Sequence, residues 1–150
     1  MVSHEEEQIQ NAIGHFEYRF EGGGLVIPQY KYVYLEEGPQ PIPPTFKGRD
    51  TQNGIRETGF MFVFDSYDFW GINTPVGQGF HVQSFLAGNS TEVTSGFVTG
   101  MINPSKKAGF FKFDLNVDVH GSMRRVEGFF ILKQNVTGRL QELSATRLLN

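Results

Sequence analysis

A closed, antiparallel, up-and-down β-barrel of about eight strands, preceded by a short N-terminal helix, is the architecture the sequence predicts. Three observations carry the prediction. The 150 residues include 15 Phe and 5 Tyr beside one Trp, types that favour pleated, half-buried surfaces, and 18 Gly, which supply turns and bends. From His15 onward apolar and polar residues alternate with the period of two that a half-buried strand requires. Turn signals separate the alternating runs at short intervals: Gly22-Gly23-Gly24, Gly88-Asn89, Asn103-Pro104, Gly121-Ser122 and Thr137-Gly138.

The chain opens with Ser3 and Glu6 at capping-box spacing, which predicts a helix over residues 4–13. Its acidic first turn suits the positive end of the helix dipole, Gly14 is a natural stop, and Ile9, Ala12 and Ile13 form a narrow apolar stripe. Strands are predicted at 15–20, 25–35, 54–64, 79–87, 92–102, 110–119, 123–133 and 139–149. The last has a helical alternative, because Leu140, Leu143 and Leu149 also suit that period. Residues 36–53, with prolines at 39, 41, 43 and 44, are read as loop, since proline cannot donate to a ladder. Residues 65–78 are read as an aromatic lid in which Phe69 and Trp70 close one barrel mouth. Tight turns favour the barrel over a two-sheet sandwich, and the chain reads as one domain, 1–150.

Strand 110–119 orients itself: Phe111, Phe113, Leu115, Val117 and Val119 alternate with Lys112, Asp114, Asn116 and Asp118, so the first set faces the core. For the other strands the more aromatic or smaller face is placed inside. That choice puts Tyr30, Tyr32 and Tyr34, then Phe60, Phe62 and Phe64, then His81, Gln83 and Phe85 inward. Gly96, Val98 and Gly100 join them, with Val126, Gly128, Phe130 and Leu132. Large rings then meet glycines across the interior, which describes either tight packing or a ring-walled cavity. Met61, Val63, Phe80, Val82, Leu86, Phe97 and Met101 are left pointing outward, an apolar stripe that predicts a homo-oligomer.

A net charge of -3, with 13 Lys and Arg scattered along the chain, supplies no basic field for nucleic acid. Zero Cys excludes disulfides and thiolate chemistry and fits a reducing, cytoplasmic setting. The start shows no basic-then-apolar leader, and the longest apolar run, residues 60–64, is far below the roughly 20 residues that cross a bilayer, so no membrane insertion is expected. His4, His15, His81 and His120 show no ligand spacing, and no glycine-rich loop leads into a helix, so no metal and no cofactor is expected.

The functional expectation is a cofactor-independent barrel enclosing a small apolar or aromatic ligand. Tyr32, Arg56, His81 and Arg124 are the candidate catalytic groups, polarising a held conformer toward cyclisation, isomerisation or dehydration. Tyr30, Tyr34, Phe60, Phe62, Phe64, Trp70, Phe85, Phe111 and Phe113 are the candidate ligand wall. In an up-and-down barrel Arg56, Arg124, Tyr32 and Tyr34 gather at one end as a head-group site for a carboxylate or enolate. A non-catalytic carrier or sensor of the same hydrophobic ligand, and a structural or virion-type subunit, are the alternatives. The plan resembles calycin, allene oxide cyclase and dirigent barrels in architecture. The Gly-x-Trp signature of a lipocalin is missing, the sole tryptophan, Trp70, falling in mid-chain.

Overall fold

A computed structural model of the chain describes residues 12–36, 43–52 and 56–135. Among these residues ten antiparallel strands form: β1 (Ile13–Phe20), β2 (Tyr30–Tyr34), β3 (Thr45–Gln52), β4 (Arg56–Phe64), β5 (Trp70–Pro75), β6 (Phe80–Leu86), β7 (Asn89–Val93), β8 (Ser95–Asn103), β9 (Ala108–Val119) and β10 (Ser122–Lys133). The all-β class is as expected; among the described residues the strands form two sheets and no closed barrel. The strands divide into sheet I, in the order β1-β10-β9-β8-β5, and sheet II, in the order β2-β3-β4-β6-β7. The chain crosses between the sheets four times, most abruptly at Thr94, the single residue between β7 and β8. After β1 the chain folds back so that Tyr18 and Val26 exchange backbone hydrogen bonds of 2.9 and 2.8 Å, and the Ala12 amide, just before β1, donates to the Lys31 carbonyl on β2 at 2.8 Å.

Three strands lie where none was expected: β7, whose residues 89–91 fall at the expected turn between strands 79–87 and 92–102, and β3 and β5, in the expected loops. In β3 only Phe46 is apolar, and the run Lys47-Gly48-Arg49-Asp50 has the composition of a turn. Gly48 nevertheless sits mid-strand because the Phe16 ring occupies its side-chain space; a Cβ there would lie 2.6 Å from Phe16 Cγ. β5 is an edge strand with a register shift between Gly71 and Thr74, and the edge is where Pro75 is tolerated. At the other end of the expected helix, Ile13 begins β1, and Gly14, read as a helix stop, lies inside that strand. The rest of that helix and the expected strand 139–149 lie outside the described residues.

The core is a stack of phenylalanine rings contributed by both sheets. Phe62 and Phe64 of sheet II meet Phe113 and Phe111 of sheet I at centroid distances of 4.9 and 4.5 Å, and Phe130 lies 5.2 Å from each of Phe16, Phe46 and Phe62. These separations are those of favourable tilted and offset ring pairs. Glycines receive the rings, as the alternation of large and small residues suggested: a Cβ on Gly109 would lie 2.4 Å from Phe46 Cζ, and one on Gly128 2.4 Å from Phe113 Cζ. Phe69 closes this stack at one end, 4.9 Å from Phe64 and 5.9 Å from Phe111, so half of the expected lid packs on the core.

Two strands present the opposite face from the one expected. In β6 Phe80, Val82 and Ser84 are buried, and His81, Gln83 and Phe85 point outward. In β2 Val33 is buried, and Tyr30, Tyr32 and Tyr34 lie half-buried on the outer face of sheet II. The hydroxyl of a tyrosine needs water or a partner, which the outer face offers more readily than an interior built mainly of phenylalanine rings. The inward faces of β4, β8, β9 and β10 are as expected.

Candidate functional site

The outer face of sheet I carries an open groove of about 750 Å³. Pairing registers place its residues in rows across the strands. Thr99, Lys112, Phe129 and Glu17 are register partners in turn on β8, β9, β10 and β1; Phe97, Asp114, Glu127 and Arg19 form the next row. Adjacent strands lie about 4.8 Å apart, so outward side chains in one row are neighbours. Phe97, Phe110 and Phe129 line the groove with Leu25, and Phe113 forms part of its floor beneath Gly128. Asn73 adds a polar rim from β5, where its amide accepts from the Thr99 hydroxyl at 3.2 Å.

The charges of this face are unequally committed. Arg125 donates to both oxygens of Asp114, through Nε at 3.0 and 3.2 Å and through Nη2 at 2.6 Å, and also ion-pairs with Glu127. Those hydrogen bonds, followed by the charges of Asp114 and Glu127, hold the guanidinium above its ordinary pKa. Glu17 is engaged by His15 Nε2 at 2.8 Å, whose ring leans on Phe129 at 5.5 Å. Among the described residues, no carboxylate lies within ion-pairing distance of Lys112 or Arg19. All three carboxylates of the groove therefore have partners, while its two cations have no ionic partner there.

One row further along, Trp70, Met101, Phe110 and Ile131 are successive register partners on β5, β8, β9 and β10, ending at His15 on β1. With Ile72 and Phe97 they form an apolar surface whose residues are each 41 to 73% exposed. Of the outward stripe expected from the sequence, Phe97 and Met101 belong here. Met61 and Val63 lie on sheet II, and Phe80 and Val82 are core.

The candidate catalytic residues are not brought together. Tyr32 and His81 lie on the outer face of sheet II. Arg56 is exposed at the start of β4, and Arg124 is exposed at the start of β10 in the other sheet, where it donates to the Glu21 carbonyl at 3.3 Å. The end expected to collect Arg56 and Tyr34 does not form. Because β3 intervenes, β2 and β4 run parallel, Tyr30 aligns with Gly59, and Tyr34 aligns with Val63 at the far end of β4 from Arg56. Of the expected ligand wall, Phe60, Phe62, Phe64, Phe111 and Phe113 are in the packed core. Tyr30, Tyr34 and Phe85 face outward on sheet II, and Trp70 is exposed on sheet I.

Sheet II carries a second polar cluster on its outer face that the loop reading of residues 36–53 concealed. Arg49, only 4% exposed, lies 4.9 Å over the Tyr30 ring with Nε 3.4 Å from Glu57 Oε1. Lys47 Nζ reaches both Glu57 oxygens at 3.2 and 3.3 Å and sits 5.0 Å over the Phe85 ring. Burial pulls the Arg49 pKa below its ordinary value, and Glu57 and Asp50 work against that. The alternation Thr45, Lys47, Arg49 was the available signal for this face, masked by the neighbouring prolines.

Among the described residues no group of three or more His, Asp or Glu side chains is placed to hold a metal ion, and no helix is long and apolar enough to cross a membrane. Comparison of the chain with protein-family models, with curated proteins and with solved structures gives no match.

Proposed function

We propose that the protein is a binding module that takes a small amphipathic anion in the groove of sheet I. The apolar body lies against Phe97, Phe110 and Phe129, and the head group is met by Lys112 and Arg19. The observation that carries this reading is the uneven engagement of charge: Asp114 and Glu127 share Arg125 and Glu17 is held by the His15 ring, whereas Lys112 and Arg19 have no ionic partner among the described residues. An anion gains from two uncommitted cations, arginine offering a bidentate fork and lysine a point charge. A volume of about 750 Å³ falls in the range of small-molecule sites. The carrier or sensor reading is favoured over an enclosing enzyme because the interior is occupied by rings from both sheets, and because Tyr32, Arg56, His81 and Arg124 are dispersed.

The test uses two probes with one body and opposite heads, 2-naphthoate and 2-naphthylmethylamine, titrated calorimetrically. The expected result is that the carboxylate binds at least about tenfold more tightly, that the preference shrinks with added salt, and that Lys112→Gln and Arg19→Gln each erode it. Equal affinity for the two probes, or a preference untouched by both substitutions, overturns the proposal.

A further inference from the structure

We infer that a second copy of this chain packs face to face on sheet I along the row Trp70, Met101, Phe110 and Ile131, and roofs the neighbouring groove. Only the roofing rests on the reading of the groove as a ligand site; the pairing of the two copies stands on the surface itself.

Area is the first argument. At ~200 Å² for a large side chain, the exposed fractions of Trp70, Ile72, Met101, Phe110, Ile131 and Phe97 amount to about 650 Å² of apolar surface. That is the upper end of what a monomer leaves in water, and most of the roughly 800 Å² per partner that a stable interface buries. The adjoining rows of the same face supply the remainder.

Shape is the second. The row crosses β5, β8, β9 and β10 in register, a breadth of about 15 Å at the usual strand spacing, and sheets pack face to face about 10 Å apart through such rows. A second sheet of the same form offers the same row, so a twofold axis can lay apolar row on apolar row.

Charge is the third. Carboxylates beside the row would be costly to remove from water if single, but Asp114 and Glu127 are tied to Arg125 and Glu17 to His15. Each of these acids therefore reaches the interface with a hydrogen-bonding or ionic partner already in place, Arg125 being shared by two of them. Packed this way, the partner's sheet stands over Phe97 and Phe110, which belong both to the apolar surface and to the groove wall, and an open depression becomes a cavity between two sheets.

Sedimentation velocity of the full chain without ligand tests the pairing. The wild type is expected to sediment as a dimer at micromolar concentration. Trp70→Lys and Met101→Lys, both at exposed positions, are expected to weaken the dimer roughly a hundredfold, while His81→Lys on sheet II leaves it intact. Circular dichroism melts of each variant establish that the fold is kept. A monomeric wild type, a dimer that survives both substitutions, or a monomer that instead floats with phosphatidylcholine vesicles overturns the inference. The naphthoate titration is read separately: its failure beside a dimer that Trp70→Lys dissociates removes the ligand reading and leaves the interface standing.

Discussion

The outer faces of the two sheets are built on the same pleated backbone and treat polar groups in opposite ways. On sheet II, Arg49 and Lys47 lie flat over Tyr30 and Phe85 and converge on Glu57, so long cationic side chains cover aromatic surface and their charges are spent within the sheet. On sheet I the groove carboxylates have partners, Lys112 and Arg19 have no ionic partner among the described residues, and a row of large apolar side chains stands in water. The contrast teaches that aromatic content does not mark a binding face. What distinguishes sheet I is that, among the described residues, no cationic side chain is laid across its aromatic residues.

The largest effect is expected where the sheets meet. Burial, helped by the negative charge of Asp50, pushes the Tyr18 phenol up to about 12 from an ordinary value near 10. The unfolded chain then loses this proton first as pH rises, so stability is full below about pH 10 and falls as pH approaches 12. Two units correspond to as much as about 3 kcal/mol. Urea midpoints of wild type and Tyr18→Phe should therefore converge or cross between pH 10 and 12; parallel curves would show that the phenol is not buried in this way.

Next in size is a substitution that breaks the sheet II cluster. Arg49→Met should destabilise the fold by about 2 kcal/mol, because Glu57 keeps Lys47 but loses a buried partner, and Tyr30 loses its cover. Arg125→Met on sheet I, an exposed position, should leave the urea midpoint where it was. Equal effects from the two would erase the distinction between the faces.

The smallest effect on folding, and the sharpest test of the contrast, belongs to the apolar row. Trp70→Ser or Ile72→Ser, each at a position 73% exposed, should change the unfolding free energy of the isolated chain by less than about 0.5 kcal/mol. Iodide should quench Trp70 fluorescence strongly on dilution and less at concentrations where two copies pair. Quenching that is independent of concentration would place nothing over this face.

Much of the fold was legible because a period of two is a local signal. In β9, Phe111, Phe113, Leu115 and Val117 alternate with charged or amide side chains, and no tertiary information is needed to know which way they face. The same rule was available in β6, where Phe80 and Val82 are more apolar than His81 and Gln83; preferring the aromatic Phe85 reversed it. In β2 the tyrosines are amphipathic, so their number gave no direction, and Val33 carried the signal.

The groove could not be read in the same way, because its parts come from β1, β5, β8, β9 and β10 and become neighbours only through pairing. Lys112 was correctly placed outward, but nothing in the chain says that it stands one strand from Phe129 or that Arg125 satisfies Asp114 and Glu127.

The sequence by itself determined the all-β class, most of the turns and the inward faces of β4, β8, β9 and β10, since backbone propensity and alternation act over a few residues. Only the tertiary structure decided sheet membership. Alternation states which face of a strand is buried but not which strand lies beside it, and a single residue, Thr94, carries the chain from one sheet to the other. The same limit hid β3: Gly48 reads as a turn in sequence, yet its place in mid-strand is set by the Phe16 ring arriving from the opposite sheet.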